Sequence, residues 1–71
     1  GGAMRAAEKA LLDKARRGEP IMPSDHVPTI DTEAELKSFR HGLIHRQALT
    51  ADALGAIERR RVEIRAAKRQ L

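Results

Sequence analysis

The chain has 71 residues, no cysteine, a single aromatic residue (Phe39), and 14 Lys and Arg against 10 Asp and Glu, a formal net charge of +4. That length holds one small domain; the lack of cysteine excludes disulfides and thiolate chemistry, and the core must be built mainly from Leu, Ile, Val, Met and Ala. No apolar run approaches the ~20 residues of a membrane span, and no charged start leads into a continuous apolar segment as in a signal peptide.

A chain this short buries roughly 60% of its unfolded surface, and one such core rarely supplies more than about 3–5 kcal/mol. A partner protein or a second copy of the chain is therefore expected to complete it. The lack of cysteine suits a reducing, cytoplasmic setting. Gly1-Gly2-Ala3 ahead of Met4 reads as a cleavage scar, which leaves 4–71 as a single helical domain.

The fold class expected is all-α, with three helices at about 4–17, 32–47 and 50–70. In the first, Met4, Ala7, Leu11 and Ala15 recur at spacings of three and four, with Leu12 at the margin. Arg5, Lys9, Asp13 and Arg16 fall opposite. Gly18 suits the residue just past the helix end, and Arg16 and Arg17 suit the negative end of the helix dipole. Residues 18–31 form a Pro-rich connector. Pro20, Pro23 and Pro28 each remove an N–H and bias the residue before them away from the helical region. The expectation is an extended, ordered strap pinned by Ile21, Met22, Val27 and Ile30, with a mobile linker as the alternative.

The second helix starts at Thr32, which forms a capping-box pair with Glu35, or at Asp31 as the alternative cap. Leu36, Phe39 and Leu43 make a narrow stripe, with Ile44 on its edge. Gly42 marks either a close helix crossing or an early end near Gln47. Thr50 caps the third helix, Asp52 sits in its first turn, and Leu49 and Leu54 stand at hydrophobic-staple spacing. Such a short link predicts that the last two helices form an antiparallel hairpin, with the first packed across it. The third helix carries Ala53, Ile57, Ile64, Ala67 and Leu71 as a seam. Leu54 widens that seam, and Arg60 interrupts it.

Three groups of residues bear on chemistry. His41 and His45, four apart, share a helix face and are weak candidates to grip Zn²⁺, with His26 or Asp25 as a third ligand. The helical wheel turns both histidines to solvent, so no metal or other cofactor is expected. Ser24, Asp25 and His26 contain the residue types of a catalytic triad, but sequence neighbours cannot adopt its geometry. No enzymatic activity is expected.

Arg59, Arg65 and Arg69 offer a basic surface that suits phosphates. Glu58 and Glu63 interrupt it, no Asn, Gln or Ser interleaves the arginines to read base edges, and no aromatic is available beside them for stacking. Nucleic-acid binding by the third helix is therefore the alternative function. Arg60 reads as a snorkelling side chain or, less favoured, as a register-setting residue at an interface.

The leading function is a small adaptor or regulatory protein, or an oligomer of this chain, binding through amphipathic helices. Ile57, Arg60, Ile64 and Leu71, with Ile21 and Met22 of the connector, are its candidate partner-binding or packing residues. In size, charge and helicity the chain resembles the antitoxins of toxin–antitoxin modules, a likeness of outline without a shared motif.

Overall fold

The computed structural model describes residues 5–69. It is all-α, with four α-helices and one 3-10 turn rather than three helices: α1 (Ala6–Arg16), α2 (Pro23–His26), the 3-10 turn (Val27–Thr29), α3 (Glu33–His45) and α4 (Ala51–Arg69).

The extra elements come from the connector, which is helical where an extended strap was expected. Proline is tolerated in the first turn of a helix, where its missing N–H would have had no partner anyway. Pro23 and Pro28 both take that place. The Asp25 carboxylate accepts the Met22 N–H at 2.7 Å, and the Asp25 N–H donates back to the Met22 carbonyl at 2.9 Å. Thr29 Oγ1 donates to the His26 carbonyl at 2.6 Å. Winding the segment turns Val27 and Ile30 into the core. Met22, expected to help pin it, stays 51% exposed.

α3 begins as the sequence predicts, with Thr32 Oγ1 accepting the Glu35 N–H at 3.1 Å. Asp31 is not the cap; its carboxylate receives Arg5 and Arg60 instead. The helix ends at His45 in a Schellman turn: Gln47 N–H donates to the Ile44 carbonyl at 3.0 Å and Ala48 N–H to the Leu43 carbonyl at 2.8 Å. α1 closes the same way on Gly18 (φ +78°), with Gly18 N–H on Ala15 and Glu19 N–H on Lys14.

Gln47 occupies the left-handed position at φ 56°, a conformation that costs a side-chain-bearing residue about 1–2 kcal/mol. Gly42 marks no helix crossing, because an added Cβ would meet only the Arg46 guanidinium, at an ordinary 3.5 Å. Gln47→Gly and Gly42→Ala are therefore each expected to raise stability, by about 1 and about 0.5–1 kcal/mol, as the urea midpoint will report. Gly18→Ala is expected to lower it.

α4 starts at its Thr50 cap, which accepts the Ala53 N–H at 3.1 Å, and runs back along α3. Glu33 at the start of α3 meets Arg65 and Lys68 near the end of α4. The core lies where α3 (Leu36, Leu43), α4 (Ala53, Ile57, Ile64) and the connector (Val27, Ile30) converge, with Phe39 and Leu49 packed against it. Ala67, expected on the seam, is exposed. At 1.5 Å per residue α4 is about 28 Å long and α3 about 20 Å, so α4 overruns its neighbour beyond Arg65. Leu54 does not widen the buried stripe; it is 40% exposed.

α1 packs on the 3-10 turn instead of lying across α3 and α4. It buries no residue fully, because an alanine-rich stripe offers little surface to bury. Polar ties hold it: Arg5 to the Asp31 carboxylate and to the Thr29 carbonyl (3.1 Å), and Lys14 Nζ to Asp25 Oδ2 (2.8 Å). The Lys14 ammonium, helped by the Met22 N–H, holds the Asp25 carboxyl below its ordinary pKa. A carboxylate with a depressed folded-state pKa stabilises above its unfolded pKa, and the contribution is lost as pH falls through the folded value. Acidification from about pH 5 toward pH 2 is thus expected to loosen α1, seen as falling heteronuclear NOEs of its amides. Asp25→Asn should reproduce part of that loosening at neutral pH.

Candidate interaction surface

α3 and α4 close on the core along one side and leave a groove along the other. Its floor is Leu36 and Ile57. Lys37, Arg40 and His41 line the α3 wall and Glu58, Arg61 and Arg65 the α4 wall, with Glu33 at one end, around a volume of about 350 Å³. Helical spacing carries both walls on toward the interhelical loop. Ile44 stands three and four residues past His41 and Arg40, and Leu54 four residues before Glu58, so both fall on the groove side. They are 48% and 40% exposed.

The charges in the groove are of two kinds. Glu33 accepts Arg65 Nε at 2.7 Å and Lys68 Nζ at 3.4 Å. The hydrogen bond from Arg65 holds its carboxyl below the usual range, and Lys68 adds to the effect. Glu58 accepts Arg61 Nη2 at 2.8 Å. Lys37 and Arg40, by contrast, have no carboxylate within ion-pair distance among the described residues. Both side chains are exposed.

The sequence-predicted residues are dispersed. Ile57 and Ile64 are core residues, with Ile57 also flooring the groove. Leu71 lies outside the described residues. Ile21 is half-buried and Met22 exposed on the connector, and neither lines the groove.

Arg59, Arg65 and Arg69 are all exposed and fall within about 120° of the α4 surface. Arg65 and Arg69 are four apart, and Arg59, at the far edge of that arc, lines a hollow with Ser24, Pro28 and Glu63. His41 sits on the groove wall and His45 is exposed one turn further on. Among the described residues no third ligand joins them. Asp25, the candidate third ligand, is engaged by Lys14 and the Met22 N–H.

The Arg60 guanidinium is tied within the chain rather than left free in water. It turns inward: Nε donates to the Ile30 carbonyl at 2.8 Å, Nη2 to Asp31 at 3.2 Å and Nη1 to Glu63 at 3.1 Å. Its side chain is 23% exposed.

Lys37 and Arg40 escaped the sequence reading. The signal was present in Lys37, Arg40, His41 and Ile44, a second stripe beside the apolar one, but each residue alone is ordinary helix surface. No helix among the described residues is long and apolar enough to cross a membrane. The chain matches no protein-family model, no curated protein and no solved structure at a significant level.

Proposed function

We propose that this protein is a non-enzymatic interaction module, an adaptor or regulatory protein acting inside the cell, that receives a partner protein in the α3–α4 groove. The observation that carries the reading is the coincidence, on one side of two helices, of an apolar floor, two unneutralised cations and two exposed aliphatic side chains at the loop end. Interfaces combine apolar anchors with a polar rim that steers and orients. Nucleic-acid binding by Arg59, Arg65 and Arg69 draws less support, since Arg65 is engaged by Glu33 and Glu63 stands beside Arg59 in the same hollow.

The test is differential capture. Cellular proteins retained by the wild-type chain should be released by the double substitution Lys37→Glu, Arg40→Glu and kept by Arg59→Glu. Both substituted sites are exposed, so circular dichroism should report an intact fold. Equal capture by all three proteins would overturn the groove as the binding site.

A further inference from the structure

The groove's occupant can be narrowed from the distribution of charge over the whole molecule, an inference that rests on the interaction reading above. Most of the chain's carboxylates are already engaged. Asp25 binds Lys14, Asp31 binds Arg5 and Arg60, Glu33 binds Arg65 and Lys68, and Glu58 binds Arg61. Glu8 and Glu63 share Arg5 and Arg60 with Asp31, and Asp13 and Glu19 meet Arg16 and Arg17. Among the described residues only Glu35 and Asp52 are left without a cation. The unmatched charge is cationic, and Lys37 and Arg40 place two such charges one turn apart on the groove wall.

We infer that the groove takes an acidic amphipathic helix of another protein, its carboxylates over Lys37 and Arg40 and an aliphatic residue against Ile44 and Leu54. Two antiparallel helices with an open seam present ridges and grooves that a third helix fills, and a helix in a groove anchors through residues three and four apart. Lys37, Arg40 and Ile44 follow one another at that same spacing, three residues and then four. α3 is about 20 Å long, so the occupant spans roughly four turns, about 14 residues.

A second copy of this chain fits less well. It brings the same excess of positive charge and almost no unengaged carboxylate to meet Lys37 and Arg40. A nucleic-acid duplex fits less well too, because the apolar floor of Leu36 and Ile57 would face phosphates.

The experiment is an NMR titration of the ¹⁵N-labelled full chain with a synthetic helix of about 14 residues carrying Glu and Leu on one face. A version with Gln for Glu and a short DNA duplex serve as rival ligands. Shifts confined to the surroundings of Lys37, Arg40, His41, Ile44 and Leu54 are expected with the Glu peptide. Binding should weaken about tenfold or more in the Lys37→Glu, Arg40→Glu protein and fall with salt. Equal or tighter binding of the Gln peptide overturns the acidic class and leaves a peptide groove standing. A groove that answers to the duplex and to neither peptide overturns both readings. If the groove ignores every ligand while the double substitution still releases a cellular partner, the acidic-helix class is wrong and the interaction site is right.

Discussion

Leu43→Ala is expected to leave the protein largely unfolded at 25 °C. Leu43 is 1% exposed and, with Val27, is one of the largest side chains wholly removed from solvent. Truncating a buried leucine costs the lost transfer free energy plus the cavity left behind, about 2–5 kcal/mol in all. A single core in a chain of this size supplies about 3–5 kcal/mol, so the loss is comparable to the whole. Relaxation offers little relief, because the surrounding cluster is small and its members are already shared among α3, α4 and the connector. Leu43 also carries the carbonyl that closes the Schellman turn on Ala48, so a shift of its backbone disturbs the entry to α4. Urea unfolding followed by circular dichroism measures the effect. Val62→Ala is the control: Val62 is 64% exposed, and its truncation should move stability by no more than about 0.5 kcal/mol.

The parts of this fold that were legible in the sequence are those that local rules determine. Thr32 and Thr50 announce the starts of α3 and α4 because a hydroxyl three residues before a free N–H is a short-range device. Leu36 and Leu43, and Ile57 and Ile64, read as packing residues because their spacing alone puts each pair on one face. The connector is not legible to a rule that treats proline only as a helix breaker. Proline's effect depends on position, and in the first turn of a short helix it is favourable. The Pro23-Ser24-Asp25 pattern, with Asp25 reaching back to the Met22 N–H, was the available signal.

Where α1 would lie was not legible, since its stripe offers only Leu11 between two alanines and its position is set by Arg5 and Lys14 meeting carboxylates far along the chain. Ala67 is exposed for a length reason: the periodicity of α4 continues past Glu33, where the antiparallel α3 begins. The groove was hidden because it is defined by which charges remain unmatched, and that depends on the pairing of every other charge in three dimensions.

Arg60→Met is expected to destabilise the protein by about 1–3 kcal/mol, although it places an apolar residue where the helical seam asks for one. Methionine keeps an unbranched stem of similar reach, so packing against Ile57 and Ile64 changes little. What is lost is donation to the Ile30 carbonyl and to Asp31. Leaving a largely buried acceptor without its donor costs about 1–3 kcal/mol. A simply snorkelling arginine would give a nearly neutral result, within about 0.5 kcal/mol, so the one substitution separates the two accounts. Arg60→Lys should recover only part of the loss, because a single ammonium cannot serve the three acceptors that the guanidinium fork spans. The consequence extends beyond α4. Asp31 also receives Arg5, the residue at the start of α1, so Arg60 holds the carboxylate on which α1 is fastened. Arg60→Met should therefore raise the mobility of α1 amides while leaving the α3–α4 groove unchanged, since Arg60 lines none of it. A loss of groove binding in that variant at temperatures where α4 remains helical would show that the groove depends on α1 after all.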